Sequence, residues 1–334
     1  MAGLMGEVSR EKCSAALSPE LFHCLLDELP IHLVPRAAWP AQQNEGAGRK
    51  LFLNPGCRLY AAGELPEELQ SQQDLLSVFD LEGTIAWVRD AKTGSLSPFW
   101  LGPRFESFVR EWRSDEPVPL SVPESVRSIL EGAGILVSEN FADRRHTQRE
   151  QTLQKAAELF QRKGYAPLHG LIHPFHIAAL RRYYRYRIRT GAIPLGDGQS
   201  PLRYVAYNDP VARFFHRQIA TTLSAVAGEP VKPSYVYLAS YLSGAELKKH
   251  VDREQCEFSI TLCLDFSPEP ALATSWPICL QTRTGNVTVY QALGDGLVYR
   301  GTRLPHYRSK LGEGQTSTSI FFHYVSADFT GSLD

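Results

Sequence analysis

His250, Asp252 and His306 are the residues whose types and spacing bear most directly on chemistry. His250-Val-Asp252 lies between an aromatic, alternating stretch, Ser234–Leu242, and an Ile-, Leu- and Thr-rich one, Phe258–Phe266. In an extended segment residues i and i+2 project to the same side, so an imidazole and a carboxylate reach one cation from a single piece of backbone. A third donor must come from elsewhere. His306, closing the run Gly294-Asp-Gly-Leu-Val-Tyr-Arg-Gly-Thr-Arg-Leu-Pro-His306, is the natural candidate. Two imidazoles and one carboxylate on one face of a cation leave three positions open. For Fe(II), those positions take a co-substrate and dioxygen.

With ten His and thirteen Asp in 334 residues, a His-x-Asp tripeptide arises by chance roughly 0.4 times, so its placement carries the weight. The order strand, His-x-Asp, several strands, Gly-Asp-Gly, Pro-His, final strand occurs once. The competing reading makes His250 and Asp252 a surface pair and His306 a turn residue.

The elements that must position these side chains are strands. After Ser234–Leu242 and Phe258–Phe266 come Ile278–Gln281, Val287–Tyr290, Gly296–Tyr299 and Ser317–Val325, joined by Gly, Pro and Asn turns with no helix between. Such spacing indicates an antiparallel sandwich or barrel of the jelly-roll kind. Upstream, helices are expected over Arg145–Lys163, ending at Gly164, from Pro174 through Tyr184, and over Pro210–Ala227, closed by Gly228. These would cover the outer face of the sheet. The chain therefore reads as α+β, with an N-terminal α+β region over 1–144 and a jelly-roll domain over 145–334. In the N-terminal region Pro19–Leu29, capped by Ser18, and Glu67–Phe79 have helical spacing. Ile85–Arg89 and Phe99–Leu101 read as strands around a turn at Lys92–Gly94, and Pro35–Gly48 as a surface loop.

Composition narrows the function classes. Hydrophobic residues make up 43% and charged residues 21%, ordinary for a chain that buries a core. A formal net charge of −1 argues against nucleic acid as a partner. No apolar run approaches the roughly 18 residues of a membrane span, and the early residues Glu7, Arg10, Glu11, Lys12 and Glu20 interrupt any signal-peptide core. The six cysteines form no CxxC pattern and read as reduced, mostly buried thiols in a cytoplasmic protein; Cys263 and Cys279 lie in strand-like stretches where packing is expected.

From about Gly164 to Phe329 the chain resembles the 2-oxoglutarate/Fe(II) dioxygenase superfamily, on its prolyl-hydroxylase-like and phytanoyl-hydroxylase-like side. The matching pieces are Leu238-Ala-Ser-Tyr241 with Gly244, His250-Val-Asp252, Ile260-Thr-Leu-Cys-Leu-Asp265, Gly294-Asp-Gly296, Pro305-His306 and Phe321-Phe-His-Tyr-Val325. The resemblance implies a double-stranded β-helix, with Fe(II), 2-oxoglutarate and dioxygen as cofactor and co-substrates. It also implies hydroxylation of an unactivated C–H bond coupled to decarboxylation of 2-oxoglutarate to succinate. The carboxylate Asp252, where related halogenases carry a small residue, favours hydroxylation. One departure stands out. The family usually places Arg or Lys about ten residues after the distal His to pair with the far carboxylate of 2-oxoglutarate. Here that stretch is Gly314-Gln-Thr-Ser-Thr-Ser319. A buried dianion needs a positive partner, and Arg308, on the same side of an extended segment as His306, is the expected one, ahead of Arg300 and Arg303. Tyr237, Tyr241, Ser317 and Ser319 are expected to add hydroxyl donors.

Arg253, Gln255 and Glu257 follow the first two ligands and are expected to contact substrate or to support the metal ligands. His323 reads as a packed histidine of the last strand. His169, His173 and His176 lack a nearby carboxylate in sequence, and Arg181–Arg189 with Tyr183, Tyr184 and Tyr186 reads as a solvated helix face with packed tyrosines. The expected partner is a small-molecule or peptide or protein substrate, the large N-terminal region tilting toward the peptide or protein or serving dimerisation. Two other functions fit the same residues: an Fe(II) oxygenase that does not use 2-oxoglutarate, and a non-enzymatic binding module on a jelly roll.

Overall fold

The computed structural model describes residues 17–36, 50–113, 115–138 and 141–334, the side chains of 141–146 and 148 apart. The N-terminal part contains strands β1 (Leu51–Leu53), β2 (Cys57–Tyr60), β3 (Ile85–Arg89), β4 (Leu96–Trp100) and β5 (Leu136–Ser138). Its helices are α1 (Glu67–Gln70), α2 (Gln73–Leu76), α3 (Pro103–Val109) and α4 (Glu124–Gly132). Strands β2, β3 and β4 form one small antiparallel sheet, and β1 pairs with β5.

Next come α5 (Phe141–Lys163), β6 (Tyr165–Leu168), α6 (Pro174–Arg189), β7 (Arg203–Tyr207) and α7 (Pro210–Ala227). Local sequence fixes α7 at both ends. The Asp209 carboxylate accepts from the backbone N–H of Val211 and Ala212, Pro210 occupies the first turn, and Gly228 closes the helix at φ 75°. Eight strands follow: β8 (Val231–Tyr241), β9 (Leu247–His250), β10 (Phe258–Ser267), β11 (Ile278–Thr282), β12 (Gly285–Val289), β13 (Gly296–Arg300), β14 (His306–Arg308) and β15 (Thr316–Ser326).

These strands build two antiparallel sheets in jelly-roll order. The larger runs β6-β13-β10-β15-β8-β7 and the smaller β12-β11-β14-β9. Strand alternation divides β15 between two environments. Ile320, Phe322 and Tyr324 join a core shared with α5, α6, α7 and the N-terminal elements, while Phe321 joins a second cluster with Ala239, Tyr241, Cys263 and Trp276. The helices therefore cover the outer face of the large sheet, as the sequence implies.

Several sequence expectations fail. Pro19–Leu29 is not helical. Phe22, Cys24 and Leu26 exchange backbone hydrogen bonds with residues 78–80 and with Trp100, so the segment lies extended beside the small sheet. Burial beside that edge overrides the helical spacing. Glu67–Phe79 breaks into the two single turns α1 and α2, separated by Ser71 and Gln72. Most of the expected loop Pro35–Gly48 lies outside the described residues. Arg181–Arg189 is not a solvated face. Arg181 is fully buried and donates to Asp265, Glu269 and the Leu33 carbonyl, Arg185 pairs with the same Asp265, and Arg187 pairs with Asp209. The acids that meet these arginines come from β10, its following loop and the start of α7, which helix periodicity alone does not reveal.

Candidate metal centre

His250 ends β9 and His306 begins β14, and the two are paired across the small sheet with ring centroids 4.3 Å apart. Asp252 follows the end of β9, its backbone N–H donating to the Gly301 carbonyl at 2.9 Å. One carboxylate oxygen, Oδ1, lies 3.5 Å from His250 Nε2 and 3.4 Å from His306 Nε2. Metal bonds of about 2.1 Å meeting near right angles put donors roughly 3 Å apart. The three groups stand close to that spacing.

The ring orientations are fixed from behind. His250 Nδ1 donates to the Lys248 carbonyl at 2.7 Å and His306 Nδ1 to the Leu304 carbonyl at 3.0 Å, so both Nε2 atoms face Asp252, donating to it when protonated and free to bind a cation when that proton leaves. The Tyr299 hydroxyl lies 3.5 Å from His306 Nε2. His306 is buried and only 11% of the Asp252 side chain is exposed, whereas 39% of the His250 side chain is exposed, giving the centre one open side. Burial alone raises the carboxyl pKa of Asp252, but the hydrogen bonds from His250 and His306 outweigh it and hold the group well below the usual carboxylate range. The bond to Asp252 raises the pKa of His250, against the opposing effect of burial. An ionised carboxylate between two correctly oriented imidazoles is a donor set that fits a divalent cation.

The remaining sequence candidates separate into groups. Arg308, two residues beyond His306 on β14, is buried. It donates to the Trp276 carbonyl and to Gln291 Oε1 (3.1 Å) and lies over the Trp276 ring at 4.8 Å. No carboxylate among the described residues pairs with it, and burial lowers its pKa. Tyr237, Tyr241, Ser317 and Ser319 alternate on β8 and β15 with the residues of the outer core. Ser319 Oγ is buried without a hydrogen-bond partner among the described residues, an orphan facing the space between the sheets. Arg253 is held by the hydroxyls of Tyr235 (3.2 Å) and Tyr207 (3.0 Å). Gln255 is buried, and its carbonyl accepts from the Ser234 hydroxyl; Glu257 accepts from the Ser326 backbone N–H. Arg300 covers the Phe160 and Phe258 rings and Arg303 is exposed.

The three upstream histidines do not converge on an ion. His169 pairs with Asp295 at 2.7 Å, His173 caps α6, and His176 bonds the Pro98 carbonyl and stacks on Phe99. Sequence reading missed Arg203 on β7, buried beneath the rings of Tyr237 and Tyr241 and paired with Asp197, whose carboxylate also accepts from the Tyr237 hydroxyl. The alternating Arg203-Tyr-Val-Ala-Tyr207 was its available signal. Ser259 and Gly301, which touch Asp252, were also missed; neither type stands out in a sequence.

No family model matches the chain, and no curated protein does. Among solved structures, the chain is similar to AviO1 from Streptomyces viridochromogenes Tue57, at 21% identity and a TM-score of 0.44, covering 54% of this chain and 97% of that one. It is also similar to a Pseudomonas putida prolyl-4-hydroxylase, at 16% identity and a TM-score of 0.41, covering 51% and 98%. A third is an oxidoreductase of the 2OG-Fe(II) oxygenase family from Burkholderia pseudomallei, at 12% identity and a TM-score of 0.42, covering 54% and 92%.

Proposed function

We propose that the protein is an Fe(II)- and 2-oxoglutarate-dependent oxygenase that hydroxylates an unactivated C–H bond. The observation that carries this reading is the approach of His250 Nε2 and His306 Nε2 to the same oxygen of Asp252, between two sheets of a jelly roll. Iron held there supplies activation of dioxygen, coupled to oxidative decarboxylation of 2-oxoglutarate to succinate.

The chain's own residues bind, orient and shield. The backbone-anchored imidazoles hold Nε2 toward the metal position without turning the rings, a cation taking the place of the Nε2 proton. Arg308, held in place by neutral acceptors and short of a counter-charge, offers its planar fork to the far carboxylate of the co-substrate. The orphan hydroxyl of Ser319 gives a further donor, and the Tyr241 ring closes the wall beside Trp276 at a centroid distance of 5.0 Å. Residues 1–144 are assigned to substrate recognition or dimerisation, with a peptide or protein as the favoured substrate, and the protein to the cytoplasm. No helix among the described residues is long and apolar enough to cross a membrane.

The test is anaerobic addition of Fe(II) and then 2-oxoglutarate, followed by oxygen. A weak visible charge-transfer band and succinate formation are expected. Iron binding without either supports an oxygenase that uses no 2-oxoglutarate. Metal content unchanged by His250→Ala supports a binding module instead.

A further inference from the structure

We propose that Ser259, His323 and Gly301 form a clamp that restricts Asp252 to one-oxygen coordination, leaving a position on the metal free for a small ligand. The inference rests on the metal-site reading above. Carboxylates bind divalent ions through one oxygen or through both, and the second mode consumes a coordination position. In this fold the two oxygens of Asp252 have different surroundings. Oδ1 faces both imidazoles, while Oδ2 accepts a hydrogen bond from the Ser259 hydroxyl at 2.8 Å.

The direction of that bond follows from proton counting. An ionised carboxylate only accepts, so the single hydroxyl proton of Ser259 goes to Asp252 at 2.8 Å in preference to the neutral Cys256 carbonyl at 3.4 Å. His323 Nδ1, 2.9 Å from Ser259 Oγ, must therefore be the donor in the second bond. His323 is itself held, since its carbonyl accepts from His216 Nε2 at 2.7 Å and its ring packs on Tyr235 at 4.6 Å. Gly301 closes the remaining side. A Cβ there would collide with Asp252 Oδ2, Ser259 Oγ and the Cys256 carbonyl, so only glycine leaves the carboxylate this seat.

Asp252, His323 and Cys256 also place ligand atoms within 4.8 Å of one another, a second grouping of metal-ligating types. The Ser259 hydroxyl bridges Asp252 and His323, and Cys256 Sγ is engaged with the Tyr235 hydroxyl at 2.9 Å. That arrangement is a hydrogen-bonded support, in which Ser259 and His323 act on the metal through Asp252.

Mn(II) is the probe, and the readout is the number of water ligands it keeps, measured by water-proton relaxation without turnover. With Asp252 bound through one oxygen, the wild type keeps three. Ser259→Ala releases Oδ2 to chelate, and the inner-sphere contribution falls by about one third. His323→Leu removes the donor that orients Ser259 and shifts the count the same way. His323→Asn, whose amide N–H takes the place of Nδ1–H, restores it. A folded Ser259→Ala protein with the wild-type water count would overturn the clamp. If that variant does not fold, the His323→Leu and His323→Asn pair decides, and equal counts for the two overturn it. A wild type that takes up no Mn(II) sinks the metal-site reading itself, an outcome distinct from failure of the clamp alone.

Discussion

His250 and His306 face each other as a cross-strand pair on β9 and β14, their rings 4.3 Å apart although 56 residues separate them in the chain. Because both Nδ1 atoms are committed to backbone carbonyls, neither ring can turn its other nitrogen toward Asp252 without losing a hydrogen bond. His306→Ala is expected to weaken Mn(II) binding by more than about 100-fold, beyond the range typical of losing a supporting residue. Anaerobic titration measures this. An unchanged affinity would remove His306 from the ligand set.

Arg308 gives a prediction about the co-substrate. Arg308→Leu should raise the KM for 2-oxoglutarate by about 100-fold, equivalent to roughly 3 kcal/mol, with a smaller effect on kcat at saturation. Arg308→Lys should recover only part of this, because a lysine cannot keep both the Trp276 and Gln291 contacts while forming a two-pronged bond. Succinate assays against 2-oxoglutarate concentration test both. A KM within twofold of wild type for Arg308→Leu would assign the anchor elsewhere.

Two buried histidines outside the ligand set contribute to the response to acid. Burial lowers His176 to about 4 and His216 to about 3, against an ordinary value of 6.5. Between those limits the unfolded chain binds more protons, so this part of the stability is complete above about pH 6.5 and declines as pH falls toward 4. At pH 5 the loss amounts to about 2 kcal/mol per histidine. Urea midpoints at pH 7 and pH 5 should show it, and His216→Gln should reduce the difference.

The buried Arg181 ties α6 to Asp265, Glu269 and the Leu33 carbonyl. Arg181→Leu leaves Asp265 with Arg185 and the Phe266 backbone N–H, and Glu269 without this partner. A loss of about 3–5 kcal/mol is expected, as for breaking a buried ion pair. Thermal and urea unfolding measure it. A loss below about 1 kcal/mol would mean that Arg185 suffices.

Much of the scaffold was legible because its signals are local. Asp209, Pro210 and Gly228 mark the ends of α7, and Gly164 marks the end of α5 at φ 78°. Alternation and turn residues located β8, β10, β11, β13 and β15 within a few residues of their observed bounds. Pro19–Leu29 shows the limit of such signals. Its apolar spacing suits a helix, but the backbone of residues 78–80 and Trp100 offers hydrogen bonds to an extended chain, and those bonds prevail.

By itself the sequence determined which residue types are available near the centre: two imidazoles, a carboxylate between them in reach, and a guanidinium two positions past His306. The short strands β9 and β14, too brief to carry a periodic signal, were decided by pairing within the small sheet. Only the tertiary structure brought Ser259, His323 and Gly301 behind Asp252, and Asp265 beside Arg181. A side chain's type is written in the chain, whereas its neighbour across a sheet is set by register, which depends on residues tens of positions away.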